Sequence, residues 1–182
     1  MSSLIALVFQ IALRRRGPDA LPASRFLLML TVGAYVLIGG GVLATWDLSA
    51  GSRIGLLIMG PLFLLGFTAA VLRLERKQQR LDQTLTALFG LSILFTVLHF
   101  VVQFALGPVV DARELAVADG GSTFLDLTLL GLQIIFLVLL VWNVAAIGWV
   151  FQRALDKDVV YGTGMAIIYY VTDLVLSQSL VS

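Results

Sequence analysis

Four long stretches of this chain are almost free of charge, and they set its organisation. Residues 26–46 and 54–72 carry no charge at all. Residues 84–106 hold only His99 and Gln103 as strongly polar groups, and residues 124–150 hold Asp126, Gln133 and Asn143. A membrane-spanning helix needs about 20 predominantly apolar residues, so each stretch reads as a span. A fifth run, 159–180, is long enough but contains Gly162, Gly164, Asp173, Ser177 and Gln178. It is expected to span, with a re-entrant or interfacial segment as the alternative.

The first residues are apolar but too short to cross. Leu4, Leu7, Val8 and Ile11 recur at helical spacing, which predicts an amphipathic helix over 1–16 lying in the membrane interface. Arg14, Arg15 and Arg16 follow the apolar run instead of preceding it, which argues against a cleaved signal peptide. Gly17, Pro18 and Pro22 break the helix, and Ser24 is placed to cap the first span. Residues 107–123 read as the longest loop, with a turn at Gly120-Gly121 and Ser122 as a cap. The expected fold is all-α: a polytopic integral membrane helix bundle of four clear spans plus a weaker fifth, residues 1–182 forming one transmembrane domain.

Composition agrees with this pattern. Hydrophobic residues make up 59% of the chain and charged residues 13%, where a soluble domain is about half apolar and about a quarter charged. A water-soluble enzyme, a DNA-binding domain and a disordered regulator are excluded. A net charge of +1 supplies no field for nucleic acid. The absence of cysteine removes disulfides, iron–sulfur ligation and thiolate zinc sites, and a single histidine removes bis-histidine haem. No metal or cofactor is expected.

Basic residues orient spans toward the cytoplasm. With a cytoplasmic N-terminus and five spans, Arg14, Arg15, Arg16, Arg25, Arg73, Arg76, Lys77, Arg80, Arg153 and Lys157 fall inside, and only Arg53 and Arg113 fall outside. The C-terminus is then outside if the fifth run spans. Compact loops and this bias suit a bacterial inner-membrane protein.

Polar groups in hydrocarbon are costly unless satisfied, so each needs a reason. At about 1.5 Å per residue, His99 and Asp173 both lie about 10 Å inward from the outer ends of their spans. Gln103, Gln133 and Asp126 fall in the same outer half. These five side chains predict either a polar cavity open to the outside, with His99 and Asp173 as an ionisable pair, or a buried network that pins helix packing. Tyr169 and Ser177 share a helical face with Asp173 and can bond its oxygens. Trp46 and Trp149 read as outer and inner interface anchors, with Trp142 deeper. Gly39-Gly40-Gly41 suits close helix approach, and Gly60-Pro61 predicts a kink. The segment 73–82 reads as a helical extension. Its Arg73, Arg76, Lys77 and Arg80, together with Arg14–Arg16, would meet anionic lipid headgroups on the cytoplasmic side or a partner.

No phosphate-binding glycine loop, nucleophile elbow, HExxH or close pair of membrane-facing carboxylates occurs. Asp111 and Glu114 form at best a weak divalent-ion pair. The leading expectation is a non-enzymatic assembly, docking or accessory subunit with a membrane-protein partner or a second copy. The alternative is an oligomeric transporter or channel whose outward-facing polar cavity is lined by Asp173 and His99. A lipid-handling membrane enzyme is the third reading.

Overall fold

A computed structural model describes residues 4–118 and 123–181. The elements are α1 (Leu4–Ala12), α2 (Arg25–Ala44), α3 (Ala50–Leu74), α4 (Leu81–Ala118), α5 (Thr123–Leu155) and α6 (Val159–Val181), with short 3-10 turns at Pro18–Ala20 and Gln78–Arg80. No strand occurs among the described residues. Helices α2 to α6 are each long and apolar enough to cross a membrane, so the chain is an integral membrane helix bundle in which 159–180 is one continuous helix. The expected Gly120-Gly121 turn and Ser122 cap lie outside the described residues.

Local sequence explains the helix starts. The Ser24 hydroxyl accepts from the Leu27 N–H at 3.3 Å and caps α2. Ser49 does the same for α3, accepting from the Ser52 N–H at 3.1 Å. Helix α3 continues through Gly60 and Pro61.

Two expectations about the connections are corrected. Most of the loop expected at 107–123 is helix, because α4 runs through Gly107 and Pro108 to Ala118. One proline deletes one N–H, and Ala105 and Leu106 before it and Ala112 after it favour the helix, against Gly107, Val109 and Val110 beside it. Helices α4 and α5 are therefore about 57 Å and about 50 Å long, against about 40 to 45 Å for a bilayer with its headgroups. They form a hairpin taller than the bilayer, joined near its tip by an Arg113–Asp126 ion pair. The second correction concerns 73–82. Helix α3 stops at Leu74, Arg76 adopts φ 56°, and the Lys77 N–H bonds back to the Leu72 carbonyl at 2.8 Å. Arg73, Arg76, Lys77 and Arg80 therefore do not share one helical face.

The five long helices form a ring, α2 beside α4, α4 beside α5, α5 beside α6, α6 beside α3 and α3 beside α2. The ring is not equally tight along its length. Leu85, Leu88, Phe89 and Leu91 of α4, Ala146, Ile147, Val150 and Phe151 of α5, and Leu64, Thr68 and Leu72 of α3 are buried. All lie toward the end that carries Arg73–Arg80 and Arg153–Lys157, hereafter the basic end. Toward the opposite end fewer residues are buried, although α3 and α6 still meet there, where a Cβ on Gly55 would lie 3.4 Å from Leu180.

Helix α1 forms over Leu4–Ala12, inside the segment where the spacing predicts it, and it packs on α4 and α5. Leu7, Val8, Ile11 and Ala12 are buried, while Ile5 and Phe9 are exposed. The seat is made by Gly90, where an added Cβ would come within 2.8 Å of Val8. Trp142 and Trp149 secure the end of α1, their indole N–H groups donating to the carbonyls of Ala12 at 2.8 Å and Arg16 at 2.9 Å. These two indoles act as clamps for the N-terminal segment as well as anchors.

Candidate functional site

Where the ring opens it encloses a cavity of about 540 Å³ to which all five long helices contribute. Tyr35 and Gly39 come from α2, Gly60 from α3, His99 and Gln103 from α4, Asn143 from α5, and Tyr169, Tyr170, Asp173 and Ser177 from α6. Counted from the basic end at 1.5 Å per residue, Tyr35 lies about 15 Å up its helix, Asn143 about 18 Å and Asp173 about 21 Å. His99 lies higher, at about 27 Å. The cavity thus runs from mid-membrane to the opposite end, where Trp46, Gln103 and Gln178 are exposed.

Aromatic packing shapes its walls. Phe63 stacks on Tyr169 at 5.5 Å between ring centroids, and Tyr169 meets Tyr170 edge-on at 5.6 Å. On the facing side, His99 lies 4.8 Å from the Phe136 ring, and Phe95 meets Trp142 edge-on at 5.1 Å. Gly60 makes room for a wall residue, since a Cβ there would sit 3.2 Å from the Tyr35 hydroxyl.

The polar groups in this wall are poorly satisfied. Asn143 is 8% exposed and its Oδ1 has no hydrogen-bond partner among the described residues. The Nε2 of His99 is buried without a partner among the described residues. Asp173 is half-buried and makes no hydrogen bond or ion pair among the described residues. A buried polar group left unpaired costs about 1 to 3 kcal/mol, so two such atoms beside an unpaired carboxylate are an expensive arrangement for a purely structural wall.

Of the five residues expected in one polar cluster, His99, Gln103 and Asp173 line the cavity. Asp126 and Gln133 do not. Asp126 pairs with Arg113 near the hairpin tip, and Gln133 is exposed on the outside of α5. The extra height of the α4–α5 hairpin lifts Asp126 above the cavity, whereas Gln133 lies about as high as Gln103 and is exposed away from the cavity. His99 and Asp173 share the cavity without bonding each other, and neither Tyr169 nor Ser177 bonds the Asp173 carboxylate. Tyr35, Asn143 and Tyr170 were missed as wall residues. For Asn143 a signal existed: an amide as deep in its span as Asp173 is in its own.

The basic residues divide into two groups. Lys77 and Arg80 both bind Asp156, at 2.6 Å and 2.9 Å. Lys157 binds Glu75 at 3.0 Å, and the Tyr161 hydroxyl donates to the same carboxylate at 2.8 Å. The bond from Arg80, then that from Lys77, pushes the Asp156 carboxyl down to about 2. The Lys157 bond, then that of Tyr161, lowers Glu75 likewise. These contacts clasp the α3–α4 turn to the α5–α6 turn. Arg14, in contrast, lines a groove of about 640 Å³ with Trp149 and Gln152 at one end and Leu140, Val141 and Val144 along its length. Arg153 stacks over the Trp149 ring, 4.5 Å from its centroid. Among the described residues no group of three or more His, Cys, Asp or Glu side chains could hold a metal.

No family model, curated protein or solved structure matches this chain.

Proposed function

We propose that this chain is a membrane transport protein of the bacterial inner membrane, working as an oligomer, which takes a small polar solute into a cavity reached from outside the cell. One observation carries the reading: Asp173, without a hydrogen bond or ion pair among the described residues, shares the wall of this cavity with Asn143 and His99, whose Oδ1 and Nε2 are buried and unpartnered. A pocket of this size with a few convergent polar groups in an aromatic wall has the character of a small-molecule site. The tight core at the basic end closes the other side, so the arrangement corresponds to an outward-open form. The orientation rests on the excess of Lys and Arg at the basic end.

The docking-subunit reading draws less support. Two of the cations expected to meet a partner, Lys77 and Arg80, are engaged by Asp156 within the chain. The lipid contact retains support at Arg14. Its groove runs about 18 Å along α5 from Gln152 to Leu140, close to the about 15 Å of one leaflet's hydrocarbon, and suits one acyl chain with its phosphate at Arg14.

The chain has no cysteine, so a Ser177→Cys variant carries one thiol, on the cavity wall. A membrane-impermeant thiol reagent added to intact cells should label it. A thiol placed at Leu64, in the core, should stay unlabelled. Labelling of Ser177→Cys only after permeabilisation would reverse the orientation, and none under either condition would remove the open cavity.

A further inference from the structure

We infer that the solute taken by this cavity carries a protonated amine, a reading that rests on the cavity being a solute site. The argument comes from what the wall can and cannot offer. Among the residues lining the cavity, Asp173 is the one carboxylate. The unpaired Asp173 carboxylate accepts through both oxygens. This group asks for hydrogen-bond donors and for positive charge.

An ammonium group answers both needs, with three N–H donors and a charge that the carboxylate neutralises. No cationic side chain among the described residues does so. Among the residues lining the cavity there is no Lys or Arg, and Asp173 has no ion pair among the described residues. The aromatic wall adds to the preference, because a cation near the faces of Tyr35, Tyr169 or Tyr170 gains from their ring quadrupoles. A carboxylate or phosphate solute would meet the negative charge of Asp173 with no cationic lining residue to offset it.

The test is calorimetric titration of the unmodified protein in mild detergent with three probes of one size: benzylammonium, benzyl alcohol and benzoate. Benzylammonium is expected to bind, with the alcohol and benzoate at least tenfold weaker. Asp173→Asn is expected to weaken benzylammonium at least tenfold, and Asp173→Glu to retain part of the affinity. Equal binding of all three probes, preferential binding of benzoate, or benzylammonium binding that survives Asp173→Asn in full overturns the amine assignment. Absence of binding by any probe overturns it as well. In each case labelling of Ser177→Cys decides separately whether the solute cavity stands. Should Asp173→Asn fail to fold, the comparison of the three probes on the unmodified protein decides the matter alone.

Discussion

Gly148 on α5 and Gly162 on α6 oppose each other so closely that a methyl group on Gly162 would collide with the Gly148 carbonyl oxygen. It would also come within 2.8 Å of the Gln152 backbone nitrogen, and a methyl on Gly148 would sit 3.1 Å from the Thr163 Cα. Two backbones meet here without side chains between them, as small residues allow in membrane bundles. The contact lies at the basic end of α6, below the cavity wall that the same helix supplies through Tyr169, Tyr170 and Asp173.

Gly162→Ala is therefore expected to destabilise the bundle by about 1 to 3 kcal/mol, the usual cost of overpacking. Gly131→Ala, at a position where a Cβ would meet nothing within 4 Å, should be neutral or stabilising by up to about 1 kcal/mol through helix propensity. Thermal unfolding of both variants in the same detergent makes the comparison. Equal melting temperatures would show that α5 and α6 do not cross at these glycines.

Asn143→Leu separates a functional wall from a structural one. If Asn143 serves a ligand, an apolar side chain of similar size removes an unsatisfied oxygen and should leave stability unchanged or raise it by about 1 kcal/mol. Solute binding should fall at least tenfold. If Asn143 instead pins the helices, the same change should lower the melting temperature, and the transport reading would lose its main support.

The clasp at the basic end should respond to acid. The carboxyls of Asp156 and Glu75 are lowered in the folded chain by their cationic partners. Groups with lowered folded values stabilise above their unfolded values and lose that contribution as pH falls through the folded ones. For Asp156 the window runs from about 4 down to about 2. Amide exchange at 75–80 and 156–158 should quicken as pH falls across it, after correction for intrinsic exchange rates. Asp156→Asn should show the quickened exchange already at neutral pH.

Trp142→Phe keeps the ring but deletes the donor to the Ala12 carbonyl. The expected loss is about 1 kcal/mol, the net value of one hydrogen bond, and it should fall mainly on α1. Faster amide exchange over Leu4–Ala12, with the rest of the bundle little changed, is the expected pattern. Uniform loosening of the bundle would mean that α1 is part of one cooperative core.

The five spans were legible because charge-free runs of spanning length admit almost no other reading. The polar depth argument placed His99, Gln103 and Asp173 at levels where one cavity could collect them. It erred for Asp126 because it assumed that α5 enters the membrane at Phe124, and for Gln133 because depth does not say which way a side chain faces. The true entry depends on how far α4 continues past Pro108, and propensity alone does not decide whether a helix crosses one proline. The glycines of the last span were read as weakening it. Their purpose at Gly162 depends on which helix lies alongside, and a single sequence does not carry that information. The same holds for the indoles of Trp142 and Trp149, whose partners are backbone carbonyls about 130 residues away in the chain.

The seat of α1 has a bearing on how the protein is made. Its buried face meets α4 and α5, and the last part of that seat, Trp149, is synthesised long after α1 has left the ribosome. Until then Leu7, Val8 and Ile11 have nothing of their own chain to settle against, so the lipid interface is the natural place for them to wait. Nascent chains arrested near residue 120 should therefore crosslink to lipid through α1, and released chains should not. The amphipathic spacing of the first residues then describes a stage of biogenesis, and the clamped helix its outcome.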